Sequence, residues 1–241
     1  DEKEIVWSLI DGTDKIISAA PILVLAASYG CLKFEQTNFF PVQKVHGQIS
    51  HLPATSESNK LKTIICGHGY ITPAHENWHI CGASYNQDVH SSSLRVQDTE
   101  SNIGKISRTD STLRELFTGI SAEDANGWAN FRCTTPDYLP IVGSVPIPSR
   151  INDNFKSLQT NARASVRQTG VYLQNLYIHC GLGSKGLSYA PLTAELLASD
   201  IANEIPFFEE SLRLAMHPTR FLIRNLKKRL LGTGSSLTTV R

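Results

Sequence analysis

Short runs of β-branched and apolar residues recur at 44–52, 62–66 and 78–85, set apart by Pro, Gly, Asn and Ser, and this pattern predicts an antiparallel sheet. Two runs precede it. Residues 4–10 end in Asp11-Gly12 and read as a strand and turn, and the almost wholly apolar run 21–27 reads as a strand covered on both faces. Leu94, Ile103, Ile106, Leu113 and Leu116, spaced among polar residues, predict one or two surface helices over 94–118. Strand character returns at 131–142 and 171–180. Residues 190–203 then predict a helix, with Pro191 near its first turn and Leu192, Leu196 and Leu197 as core positions. Over 211–231, Leu222, Leu226 and Leu230 repeat every four residues among Arg213, Arg220, Arg224, Lys227, Lys228 and Arg229, a basic amphipathic helix, before a polar tail at 232–239. The fold class is α+β or α/β.

Composition narrows the picture. With 241 residues, 41% of them hydrophobic, the chain can bury one large core or two modest ones, which excludes disorder. A net charge of +1 means that any polyanion must be met by a local patch. The five cysteines are odd in number and form no C-x-x-C pair, so neither a disulfide framework nor a zinc site is expected, and the compartment expected is the reducing cytosol. His46, His51, His68, His75, His79 and His179 show no H-x-x-x-H spacing, so no metal is expected either. The 21–27 run is too short to span a bilayer and residues 1–10 are acidic, the pattern of a soluble protein.

Gly181, Gly183 and Gly186 spell G-x-G-x-x-G between a strand and a helix, with Glu204 near where a ribose-binding acid would fall. As a Rossmann fingerprint the motif lacks room, since only 55 residues follow Gly186. A second reading is a helix start whose unpaired N–H groups, with the positive dipole end behind them, hold a phosphate or a flavin edge. A third is a turn that needs glycine for packing alone.

Four stretches in order, Phe34-Glu-Gln-Thr with 41–53, Cys66-Gly-His-Gly-Tyr-Ile-Thr-Pro73, Phe131-Arg-Cys-Thr-Thr-Pro-Asp-Tyr-Leu-Pro-Ile-Val-Gly143 and Gly181-Leu-Gly-Ser-Lys-Gly-Leu-Ser-Tyr-Ala-Pro-Leu192, followed by His217-Pro-Thr-Arg-Phe221, carry a resemblance. They resemble the FAD-dependent oxidoreductase domain of the bifunctional tRNA-modifying MnmC family, within the D-amino-acid-oxidase-like flavoproteins. The chain departs from that pattern at His46 and Lys185, where the family has Arg, and at Ala27-Ser28-Tyr29-Gly30, which replaces an Asn-Gly. The resemblance implies a C-terminal piece that lacks the N-terminal FAD fingerprint segment and the methyltransferase domain. It implies four regions: part of an FAD-binding domain at 1–40, a substrate-binding antiparallel-sheet domain at 41–160, the returning FAD-binding strand and helix at 161–210, and the basic tail at 211–241.

The chemistry so implied is oxidation of a secondary amine by FAD, hydrolysis of the imine, and loss of the carboxymethyl group as glyoxylate from 5-carboxymethylaminomethyl-(2-thio)uridine at the tRNA wobble position. Donors facing the reduced flavin would be the amides of Gly183, Ser184, Lys185, Gly186 and Leu187, with Gly181, Ala26 and Gln48 as further cofactor contacts. Arg132 is the candidate grip on the substrate carboxylate, or else a structural partner of Asp137, and Tyr70 is a second substrate contact. Lys185 lies near the flavin or is simply a solvated lysine. Arg220, Arg224, Lys227 and Lys228, at i, i+4, i+7 and i+8, form a rail for tRNA phosphates or a solvated helix face. A non-catalytic tRNA-binding remnant and a free amino-acid oxidase of the glycine or sarcosine type are the competing readings.

Overall fold

The computed structural model describes residues 6–123, 125–205 and 209–228. Contacts divide the chain into two units, one of Lys44–Arg132 and one of Asp1–Gln43 with Cys133–Arg241.

The inner unit holds a five-stranded sheet, in which β4 (Gln43–Pro53) lies between β7 (Trp78–Gly82) and β8 (Asn126–Thr134), and the short β6 (Tyr70–Ile71) and β5 (Ile65–Cys66) continue beyond β7. All the registers of β4, β5, β6 and β7 are antiparallel, as the sequence predicts, with Ile49 opposite Gly82 and Leu52 opposite His79. One face is covered by α1 (Val96–Thr109) and α2 (Ser111–Leu116). Leu52, Leu61, Ile71, Cys81, Ile106, Leu113 and Phe117 form the core between them. Next to this apolar core runs a buried polar seam of His46, Gln48, Ser50, Thr99 and Asn102. Its hydrogen bonds tie β4 to α1: Asn102 Nδ2 donates to the Gln48 carbonyl at 3.0 Å and to Ser50 Oγ at 3.1 Å.

The other unit is built on a three-stranded sheet, β3 (Leu23–Leu25), β10 (Tyr172–Cys180) and β9 (Ile141–Pro146), with β10 parallel to β3 and antiparallel to β9. Alternation sorts its side chains. Leu176, Ile178, Cys180, Ile141 and Val145 enter a core with Leu25, Cys31, Phe40 and Phe221, while Val142 and Tyr177 face Leu196, Leu197 and Met216 on the opposite side. The helix α5 (Gly186–Ala202) covers that second side. Further on, α7 (Arg220–Lys227) packs on α3 (Pro148–Asn154) and α4 (Ser157–Thr160), and α6 (Glu210–Met216) contacts β9. A hairpin of β1 (Trp7–Ile10) and β2 (Ile16–Ala20) completes this unit.

Several expectations change. The 21–27 run is strand only over Leu23–Leu25, and Val24 is 39% exposed, so it is not covered on both faces. The 131–142 run breaks into two strands around a turn at 135–140. Because Ile141–Pro146 pairs with Tyr172–Cys180, residues 133–160 join the second unit, whereas sequence grouped them with 41–132. The basic segment is two helices rather than one, since Pro218 has no N–H and the chain turns at His217-Pro218. Its continuation beyond residue 228, including Arg229 and the polar tail, lies outside the described residues.

Candidate functional site

At the end of β10 the chain turns through Gly181 and Gly183, with φ of +74° and +58°, values that only glycine adopts cheaply. A Cβ on Gly181 would also stand 2.7 Å from Thr135 Cγ2, so that position is closed to side chains. The next helix, α5, begins at Gly186, four residues earlier than sequence predicts, which leaves Pro191 inside it. Leu196 and Leu197 are buried as expected, but Leu192 is 47% exposed.

The amides at this helix start are not equivalent. Gly183 N–H donates to the Cys133 carbonyl at 2.8 Å and Lys185 N–H to the Leu182 carbonyl at 3.3 Å, so neither is a free donor. The expected set of five therefore contracts to Ser184, Gly186 and Leu187, whose amides are unpaired among the described residues at the positive end of a helix of 17 residues. Ser184, Lys185 and Leu187 are exposed, Leu187 at 98%. Ala26, also exposed, follows β3, and because Ile178 pairs with Leu25 in parallel register, Ala26 and the glycine turn lie at the carboxyl ends of neighbouring strands. Ligands of α/β sheets bind there. Three free amides and a close backbone approach fit an electron-rich ring edge. The Rossmann reading of the same glycines fails, because β10 is the last strand among the described residues and Glu204 serves only the helix end, its N–H bonded to the Ser199 carbonyl.

In the inner unit, Arg132 lies half-buried across β4. Its Nη1 donates to the Ser84 carbonyl at 3.1 Å. Gly47 makes this possible: a Cβ there would overlap the guanidinium. Burial lowers the Arg132 pKa, and Tyr70 and Tyr85 beside it partly offset that. Burial raises the Tyr70 phenol above its usual range, against the pull of Arg132. No carboxylate stands within ion-pair distance of Arg132 among the described residues. The structure thus brings together the two residues expected at the substrate, as a half-buried cation without a counter-charge next to a phenol. Lys105, which sequence did not single out, supports the same ledge, its Nζ donating to the Ala83 carbonyl at 2.6 Å. Burial lowers the Lys105 pKa, and the neighbouring Arg108 charge adds to this.

Three sequence assignments do not fit their surroundings. The Gln48 amide, 1% exposed, is used up internally: its Nε2 donates to the Arg95 carbonyl and Thr99 Oγ1, and its Oε1 accepts from Arg95 N–H. It braces β4 against α1 and has nothing left for a cofactor. Asp137, the alternative partner of Arg132, is gripped instead by Arg220, whose Nε and Nη2 each donate at 3.0 Å, and by Arg224 Nη2 at 2.8 Å. Arg220 also donates to the Leu139 and Met216 carbonyls, so the first residue of the expected phosphate rail is a buried clamp. Arg224 is half engaged, and only Lys227 and Lys228 remain exposed and free of ion pairs among the described residues.

No group of three His, Cys, Asp or Glu side chains has metal-ligand geometry, and no helix is long and apolar enough to cross a membrane, among the described residues.

Comparison with known proteins gives a consistent result. Residues 1–199 match the model of the FAD dependent oxidoreductase family. The tRNA 5-methylaminomethyl-2-thiouridine biosynthesis bifunctional protein MnmC of Stutzerimonas stutzeri is 34% identical over 91% of this chain and 34% of its own length. That of Saccharophagus degradans is 35% identical over 92% of this chain and 31% of its own. The chain spans about a third of the length of these curated relatives. Among solved structures, glycine oxidase from Geobacillus kaustophilus superposes with a TM-score of 0.58 at 18% identity, covering 84% of this chain and 46% of that one. Iminodiacetate oxidase from Chelativorans sp. BNC1 gives 0.58 at 16%, covering 89% and 52%. At such identities these two speak for the fold alone.

Proposed function

The chain belongs to the FAD-dependent oxidoreductase family, and from that premise we propose that it serves the oxidative removal of a carboxymethyl group, as glyoxylate, from 5-carboxymethylaminomethyl uridine at the wobble position of tRNA. The product is the aminomethyl uridine. Similarity to the MnmC proteins supports the substrate class, and they are also the ground for expecting a fused methyltransferase domain.

The observation that carries the reading is Arg132. A half-buried guanidinium held to the Ser84 carbonyl, beside Tyr70 and with no acid partner among the described residues, is a seat for a small carboxylate. The carboxymethyl group is one. Two parallel N–H donors grip a carboxylate better than one ammonium can, and the phenol adds a hydrogen bond. Fixing the carboxylate orients the adjacent carbon and nitrogen, the bond to be oxidised, and this positioning is the protein's contribution. When bound, FAD supplies the two-electron acceptor for that oxidation. Ser184, Gly186 and Leu187 would hold its electron-rich edge by their free amides, preset and backed by the helix dipole. Lys185, exposed at the same helix start, is placed to add a positive charge there. Water then divides the imine into amine and glyoxylate.

The test is to load the protein encoded by the whole gene with FAD and offer it tRNA carrying the carboxymethylaminomethyl group, then trap the released aldehyde acid. Glyoxylate in equal amount to aminomethyl uridine is expected. Turnover of free glycine or sarcosine in its place would make it an amino-acid oxidase, and a colourless protein that binds tRNA would make it a non-catalytic module.

A further inference from the structure

The rail expected along one helix does not survive the burial of Arg220, yet the packing of that helix assembles a different cationic surface. In α7, Phe221 and Leu226 are buried, and so are Ile151 of α3 and Leu158 of α4, the two helices on which it rests. Around these buried contacts the polar positions point to solvent. Arg150, Lys156, Lys227 and Lys228 are all exposed, as are Arg163 and Arg167 on the connection that follows α4. That connection is tied back to α3, because Asn154 Nδ2 donates to the Thr169 carbonyl at 3.1 Å. None of the six cations is in an ion pair among the described residues, and Asp153 is the one acid in 148–171, with none in 211–228.

We propose that the exposed faces of α3, α4 and α7, with Arg150, Lys156, Lys227 and Lys228 at their centre, form a docking surface for the phosphate backbone of RNA. This rests on the tRNA reading above and gives it a place on the chain. For a protein whose net charge is only +1, six cations against one carboxylate is a marked local asymmetry. Such a cluster binds a polyanion by displacing its condensed counterions into the solvent. The character of the surface selects the polyanion. No large apolar side chain is exposed between residues 139 and 186 or between 215 and 228, whereas a helix that settles on a lipid surface presents such residues. The exposed neighbours are instead short and polar, Ser149, Ser157, Thr160, Asn161 and Gln168, groups that hydrogen-bond phosphate and ribose. The Asp137–Arg220 clamp, which anchors the start of α7, holds this surface in place.

The experiment measures binding of the 241-residue chain to an unmodified tRNA transcript as salt is varied, with the quadruple variant Arg150→Gln, Lys156→Gln, Lys227→Gln, Lys228→Gln beside it. The variant should bind roughly 10- to 100-fold more weakly near 0.1 M salt, and the slope of log Kd against log salt should shrink by about 3 to 4. A charge-retaining variant, Arg150→Lys, Lys156→Arg, Lys227→Arg, Lys228→Arg, should bind as the parent does, which separates charge from folding. If the neutral variant keeps the parent's slope while the parent binds tRNA, the surface is overturned and the tRNA reading stands. If the 241-residue chain does not bind tRNA at all, the surface is overturned, and the same measurement on the whole-gene product then decides the tRNA reading: binding there keeps it, and no binding there overturns it as well. Equal capture by phosphatidylserine vesicles through the same four residues would overturn RNA as the occupant.

Discussion

Asp137 shows how a single residue fixes local structure here. Burial alone would raise its pKa, but the hydrogen bonds and charge of Arg220 and the bond from Arg224 outweigh that and bring it from 3.8 to about 2. Being depressed in the fold, it contributes stability that is complete above about pH 4 and lost as pH falls toward 2, roughly 2–3 kcal/mol in all. His217 is lowered by burial, and by the charges of Arg213 and Arg220, from 6.5 to about 4, so its share disappears earlier, between those two values. Acid titration of the melting temperature should therefore fall in two stages. In His217→Asn the upper stage should shrink to the smaller part that His179, also lowered by burial, contributes, while the lower stays. The sequence did not disclose the Asp137–Arg220 pair because 83 residues separate the partners, and the apparent helical spacing of Arg220 with Arg224 pointed to solvent instead. Gly47 is another such residue. In Gly47→Ala the flexible end of Arg132 must yield, so the fold should hold to within about 1 kcal/mol, while kcat/KM for the carboxymethylated substrate should fall by about 10- to 100-fold. An unchanged kcat/KM would show that Arg132 is not where the carboxylate sits.

At the scale of elements, β4 was legible because alternation and turn residues coincide, and it appears almost as read, whereas the 62–66 run is strand only over Ile65–Cys66, the 78–85 run stops at Gly82, and the two-residue β6 was too short to signal itself. The start of α5 was not. Pro191 marks a first turn by its usual preference, yet here the glycines turn the chain sharply enough for the helix to begin at Gly186, and the proline is carried inside. The two turn glycines should respond differently. Gly181→Ala meets both a positive φ and Thr135, and should cost about 2–4 kcal/mol with loss of bound flavin. Gly183→Ala meets the positive φ but no crowding, its Cβ lying 3.8 Å from Thr134 Cγ2, so it should cost about 1 kcal/mol and leave a folded protein in which flavin affinity can be measured. Thermal melts and flavin absorbance of both variants check the order.

For the whole molecule, the family and its cofactor were legible from motif order, because a turn, a helix start and a cation each need particular residues. Which residues close on one another was not, since Gln48 and Arg220 lie within the matching motifs but are consumed by internal bonds. The candidates left for the proposed function are Arg132 with Tyr70, and the free amides of Ser184, Gly186 and Leu187. The most direct measurement is anaerobic loss of visible flavin colour when carboxymethylaminomethyl tRNA is added to the FAD-loaded gene product and to its Arg132→Lys variant. The parent should bleach, and the variant should need at least about tenfold more substrate to do so. A parent that stays yellow, or a variant that bleaches at the same substrate concentration, would contradict the account.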